Sequence, residues 1–495
     1  MSTVRGLPAG VLGRQSLRWR GVPDLPDWAW YAMFGGLAVL MGIAAGINPR
    51  YAIAGAFGLA FVMVVLVDLT IGLCAFTFLS FLELLLVSED RSFSFLKVAG
   101  FLLLLSWVAT ISTSREQDKS FIAAHPQFTF VLIAFLSWAV LSSYWAEAPG
   151  RAYDTSWRYF QNMILFLIVY TAIRHRSHVK WLGWSWLGGA TFATIPAILN
   201  PPQYEDDLTT RISGTIGDPN ELAALLVAGT AFAVALSVVS KGNPLARIAA
   251  LGAVFLFLFG IFYTVSRGGM IALAVSIVAA CLMSGRYRVQ ATIVGVLTAL
   301  FVVFYFSTLA GVDARDRITT VQGGSGRTDI WTVGWRMVED KPVTGVGSGN
   351  FNVSSIHYLL VSPGAIERDE FIVDHPKVAH NSYLQVLAEL GVVGLTLFLS
   401  IIGFAMHCAL KAARWFGRVG DTQMEIVARA SVVALVGILA ADFFITEQYG
   451  KQLWLLLGLG PALLGVARRT YPAFEPETRE ERRRGKLRAM PQRAF

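Results

Sequence analysis

The chain has 495 residues, 55% of them hydrophobic and 15% charged, and a mean hydropathy of +0.56. Soluble globular chains carry about 25% charged residues, and disordered ones are poor in apolar residues, so both classes are excluded. The excess of 41 Lys and Arg over 33 Asp and Glu fits cytoplasmic loops of a polytopic membrane protein rather than nucleic-acid binding. The three cysteines, Cys74, Cys281 and Cys408, lie far apart in apolar blocks and read as packing residues.

The first 27 residues are a basic tail without a signal-peptide core. From there the apolar blocks predict an all-α bundle of about 12–14 spans, at roughly 20 residues each. In chain order they are 28–48, 51–67, 69–87, 95–113, 127–147, 157–174, 181–199, 220–240, 245–264, 269–284, 289–309, 383–410, 424–446 and 450–467. The stretch 51–87, with Asp68 and Glu83, reads either as two short helices or as one helix with a re-entrant piece. A cytoplasmic N-terminus puts Arg115 and Lys119, Arg174, Arg176 and Lys180, Lys241 and Arg247, Arg286 and Arg288, and Lys411, Arg414 and Arg418 inside, along with a basic tail over 468–495. The organisation expected is therefore a transmembrane bundle over 28–310 with an outer loop at 200–219, a mostly helical outer cap over 311–382, and C-terminal transmembrane helices over 383–467. Within the cap, Ile330, Val333, Trp335 and Val338 recur at helical spacing, and Pro342 follows.

Basic residues on the outer side run against the positive-inside rule and attract notice. Arg211 precedes a turn at Asp218-Pro219-Asn220, where Asn220 is expected to cap the next helix. Arg267 stands in Ser266-Arg267-Gly268-Gly269, where Ser266 can cap a helix and the glycines can let a ligand approach the backbone. A guanidinium beside a helix N-terminus is a seat for phosphate; contact with lipid headgroups is the plainer alternative for either arginine. Arg327 opens the cap helix as a third candidate anion ligand. His380 and Asn381 sit at the mouth of the next span, and a helix starting there would align His380, Leu384, Leu387, Gly391 and Gly394 on one stripe. A neutral imidazole so placed can accept a proton from a hydroxyl.

Other features carry less. Gly345-Val346-Gly347-Ser348-Gly349-Asn350 looks like a phosphate loop, but no strand precedes it and the P-loop Lys is missing, so a turn in the cap is the better reading. The acids Glu205, Asp206, Asp207, Glu367, Asp369 and Glu370 read as solvated loops rather than a cation site, and His357 and His375 are not spaced as a metal pair with His380.

These residues resemble the bacterial O-antigen ligase and polymerase superfamily, and its ligase branch in particular. His380, Asn381, nine residues, and Gly391-Val392-Val393-Gly394 fit its histidine motif. Ser266-Arg267-Gly268-Gly269, Arg211 with Asp218-Pro219-Asn220, and Gly326-Arg327 with Trp331, Pro342 and Gly345 are similar to its outer arginine loops and the start of its large loop. The resemblance spans roughly 140–450. It implies an inverting glycosyltransferase of the bacterial inner membrane that faces the periplasm and uses neither cofactor nor metal. The donor would be a glycan on undecaprenyl diphosphate, and the acceptor a lipid A–core sugar, a second lipid-linked repeat unit as in a polymerase, or a protein. Arg211, Arg267 and His380 would be catalytic; Arg327, Asn381, Ser266, Gly268 and Asn220 would line the substrate site. A transporter or flippase is the competing class; Asp68, Glu83 and Asp442 are the residues that would serve it.

Overall fold

The computed structural model describes residues 68–86, 95–113, 120–200, 211–311, 327–359 and 377–472, with isolated positions between 35 and 65, at 314–315 and at 373. The chain divides into units 1–60 and 61–495, and the account below concerns the second. The expected spans at 28–48 and 51–67, the acids at 205–207 and 367–370, His375, and the basic tail beyond 472 lie outside the described residues.

Among the described residues all regular structure is helical. The bundle helices are α1 (Leu69–Leu79), α2 (Phe95–Thr113), α3 (Pro126–Leu141), α4 (Pro149–Ala172), α5 (Arg176–Leu199), α6 (Pro219–Val239), α7 (Pro244–Tyr263), α8 (Arg267–Met283) and α9 (Arg288–Phe304). The cap contributes α10 (Arg327–Asp340) and α11 (Phe351–Leu359); α12 (Ser382–Val419), α13 (Thr422–Ala441) and α14 (Lys451–Thr470) complete the bundle. Among the described residues eight helices are long and apolar enough to cross a membrane, so this is a polytopic membrane protein.

A helix apolar all round lies either in the protein core or against lipid, and burial inside the bundle separates the two. In α6, 78% of the apolar stretch is buried, against 17% for the stretch containing α9. The interior of α14 is enclosed from Gln452 to Ala467. It packs closely on α4 and α12 because Gly458 leaves room for the Phe166 carbonyl and Gly460 for that of Ala405.

The two ends of the bundle differ in chemistry. At one end Arg176 pairs with Asp421 at 2.8 Å, Arg286 with Glu425 at 2.6 Å, and Lys180 donates to Gln423 at 2.8 Å. Asp68 caps α1 at this end, beside the α4–α5 junction, where Thr70 donates to the Ala172 carbonyl at 2.9 Å. At the other end the Leu84 amide donates to Thr215 O at 3.1 Å, and Lys451 pairs with Glu83 at 2.7 Å. The acids of 68–86 therefore sit at opposite helix ends, as a cap and an ion pair. Within 69–87 the helix stops at Leu79, and a short 3₁₀ turn, Glu83–Leu86, follows.

Two expectations change at the cap. The α10 helix forms, but it buries Ile330, Val333, Gly334 and Met337, while Trp335 is 54% exposed; the face is turned so that Gly334 can admit Leu384 and Phe351. The stripe from His380 to Gly394 does not exist. His380 precedes the helix with φ 47°, and Gly391 breaks α12 with φ 64° and ψ −170°. Glycine is required there because a Cβ would strike the Val343 carbonyl. The Leu390 carbonyl near the break accepts from Trp138 Nε1 at 2.8 Å.

Candidate functional site

The site is built at the end opposite the basic one, where four connections meet. The first runs from Arg211 into α6. Its turn contains Gly214 and Gly217, both with positive φ, and Asp218 caps α6 by accepting from the amides of Asn220 and Glu221 at 2.7 and 3.0 Å. Asp218 thus takes the capping role expected of Asn220, because the cap position precedes Pro219, which suits the first helical residue.

Freed from capping, Asn220 links two loops. Its Oδ1 accepts from Arg211 Nη2 at 3.2 Å and from Ser266 Oγ at 2.8 Å. Arg211 Nε also donates to the Thr264 carbonyl at 3.0 Å. The second connection, α7 to α8, is a tight turn in which Val265 adopts φ 50° and Ser266 caps α8 through the Gly269 amide at 3.1 Å. Arg267 is the first residue of α8, at the positive end of the helix dipole. The adjacent glycines serve packing: a Cβ on Gly268 would lie 2.7 Å from Phe444, and one on Gly269 2.5 Å from Ala223. The space above Gly268 expected for a ligand is taken by Phe444.

Phe444 belongs to the third connection, 442–450, which holds the fourth. Ser382 donates its amide to Asp442 O at 2.8 Å and its hydroxyl to Ile445 O at 3.0 Å, and accepts from the Glu447 amide at 2.9 Å. Asn381 caps α12 through the Tyr383 and Leu384 amides, both at 3.0 Å; its side chain is therefore committed to the backbone. His380 stands just before this cap in a left-handed conformation that only a few non-glycine residues adopt. Partial burial lowers its pKa, and the positive charges of Arg327 and Lys377 lower it further against the opposing pull of Asp218. Arg327 is the first residue of α10. Arg211, Asn220 and Ser266 are thus joined by hydrogen bonds, Arg267 follows directly, and His380 lies within electrostatic reach of Arg327 and of the α6 cap Asp218.

Several residues here carried no sequence signal. Glu389 is fully buried and accepts from Gly349 N at 2.7 Å, Phe351 N at 3.4 Å and Gln385 Nε2 at 2.9 Å. Gly347 and Val346 donate to the carbonyls of Glu389 and Ala388. The glycine-rich loop therefore cradles an acidic side chain of this protein, Glu389, through its backbone amides. Gln385 Oε1 accepts from Ala379 N at 3.0 Å and Thr446 Oγ1 at 3.2 Å, which ties the histidine segment to the 442–450 loop. Glu447 has its pKa raised to about 8 by loss of water around the carboxylate and by the charge of Asp442. A carboxylate inside an apolar run, as in LAELGVVGL, is the one sign that could have flagged Glu389. His357 lies 2.9 Å from Glu147, both side chains being exposed. Among the described residues no group of three or more His, Cys, Asp or Glu is placed to hold a metal ion.

Fold and site together define a polytopic helical membrane protein with guanidinium, imidazole and capping groups gathered at one mouth of its bundle. Residues 252–399, just under a third of the chain, match the family model described as O-antigen ligase. The matched segment contains Ser266, Arg267, Arg327, His380 and Asn381; Arg211 and Asn220 precede it. No curated protein matches. One solved chain to which the protein is similar comes from work described as structural coordination of polymerization and crosslinking by a peptidoglycan synthase complex. The identity is 15%, 70% of this chain and 98% of that one are covered, and the TM-score is 0.35.

Proposed function

We propose that the protein is an inverting glycosyltransferase of the ligase type, transferring a glycan from undecaprenyl diphosphate to a hydroxyl of a lipid A–core acceptor. The reading places the basic end in the cytoplasm, by the positive-inside rule, and the arginine mouth at the periplasmic face of the inner membrane. One observation carries it: the Arg211 loop and the Ser266–Arg267 turn are fastened together through Asn220 at the end of the bundle that also bears His380.

In this mechanism Arg211 and Arg267 hold the diphosphate, with Arg327 contributing from the cap. The acceptor oxygen attacks the anomeric carbon from the face opposite the diphosphate, and the bond from that carbon to the diphosphate oxygen breaks. His380 takes the hydroxyl proton, and the guanidinium groups stabilise the charge that collects on the leaving group. The lowered pKa of His380 keeps the imidazole neutral, as a base must be, at neutral pH. The rate should therefore be level above the ordinary histidine value of about 6.5 and decline as pH falls through the lowered one.

The test is transfer in liposomes from purified lipid-linked donor, with lipid A–core or a second lipid-linked glycan as acceptor and the product identified by mass spectrometry. Transfer is expected without ATP and after treatment with EDTA. His380→Ala should lower it by about 10²–10⁴-fold with an unchanged melting profile. Wild-type transfer by that variant would refute the role of His380, and product formed only with the second lipid-linked glycan would make the protein a polymerase.

A further inference from the structure

A wedge-shaped cavity of about 250 Å³ opens between α6, α8, α9 and α13 towards the basic end of the bundle. Its walls are apolar, with Val234, Val238, Leu273, Ile277, Val294 and Val433 among them. The wedge exists because α9 stands away from the rest: it packs mainly on α8, and only Gly295 and Thr298 along its length are buried. Gly295 makes that single close approach, to Ile277. In hydrocarbon surroundings such a gap forfeits dispersion contacts on every wall and is filled by whatever apolar chain the leaflet supplies.

The mouth of the wedge says which chain. Ser284, Tyr287, Gln290 and Arg429 line it, and Arg286 and Arg288 flank Tyr287 in the sequence. Against these three guanidinium groups stands one carboxylate, Glu425. Arg429 binds it at 2.9 Å and also bonds the Met283 carbonyl; Arg286 binds it at 2.6 Å and Thr422 at 3.2 Å. Arg288 is exposed and gives its Nε to the Cys281 carbonyl at 3.2 Å. The mouth thus keeps a positive excess beside a slot of hydrocarbon character.

We infer that this wedge is a binding site for an anionic phospholipid of the leaflet at the basic end, one acyl chain lying between α9 and α6 and the phosphodiester held by the Arg286–Arg288–Arg429 group. Guanidinium groups suit a phosphodiester because they donate in a planar fork, and a chain ordered between helices adds the apolar contacts that a headgroup alone lacks. The site is separate from the arginine mouth and does not depend on the reaction proposed there. The α8 helix joins the two: its first residue is Arg267 and its far half lines the wedge.

The test is native mass spectrometry of the full chain released from nanodiscs containing phosphatidylglycerol or phosphatidylcholine, with undecaprenyl phosphate as competitor. Wild-type protein should retain one phosphatidylglycerol and no phosphatidylcholine. Arg288→Gln, an exposed change, should weaken retention about fivefold, the share of one guanidinium near an anionic surface. Ala291→Trp should abolish it by filling the slot, with helicity and melting checked by circular dichroism; if that variant does not fold, Arg288→Gln decides alone. Equal retention of both phospholipids, unchanged retention in Arg288→Gln, or displacement by equimolar undecaprenyl phosphate would each overturn the assignment.

Discussion

The two ends of the bundle are held by different means. At the basic end, ion pairs such as Arg176–Asp421 join helix tips, each between a partly exposed arginine and a buried carboxylate. At the opposite end, buried amides, hydroxyls and the Glu389 carboxyl tie loops that are far apart in the chain. A pair open to water on its arginine side is screened there and loses side-chain entropy, so it contributes modestly, whereas a fully buried polar group is costly to leave unpaired. The contrast teaches where geometry is fixed tightly: the basic end is an anchorage, and the mouth with Arg211, Arg267 and His380 is a frame.

Three substitutions would break or sharpen this contrast. The largest effect is expected from Glu389→Ala, which leaves the Gly349 and Phe351 amides and the Gln385 side chain unmatched in a dry setting. A loss of about 1–3 kcal/mol for each donor left unsatisfied should appear as a lower midpoint in denaturant and as early proteolysis between α10 and α12. Next is Asn220→Ala, which parts Arg211 from Ser266. Transfer should fall about 10²-fold, comparable to removing one donor of charge stabilisation, with a melting temperature within a few degrees of wild type. A loss of stability without a loss of rate would make the Asn220 bridge merely structural. Smallest is Arg176→Ala at the basic end, where Asp421 still accepts from the Met424 amide and the Tyr471 hydroxyl; it is expected to cost about 1 kcal/mol and to leave transfer untouched. An effect as large as that of Glu389→Ala would erase the distinction between the ends.

The long elements were legible because their signals are local. Apolar runs set the spans from Phe95 onward, and Ser266 announces the start of α8 by residue type alone. What escaped depends on partners remote in sequence. The spacing of His380, Leu384 and Gly391 suits a continuous helix, and only the approach of Val343 shows why the chain breaks at Gly391. Asp218 and Asn220 are both good caps; Pro219 decides between them, but the use made of the freed Asn220 rests on Arg211 and Ser266, one of them 46 residues away. The glycine-rich loop has the composition of an anion cradle but does not reveal that Glu389, 40 residues on, is the group it holds.

The break at Gly391 has a mechanical consequence. The stub 382–390 is fastened to the glycine-rich loop and to the 442–450 turn, so His380 rides on this frame of joined loops rather than on the long helical segment beyond the break. Bilayers of different thickness tilt a long hydrophobic helix to relieve mismatch. A tilt of 392–419 can be absorbed at the hinge, leaving the imidazole in register with the arginines in thick and thin membranes alike.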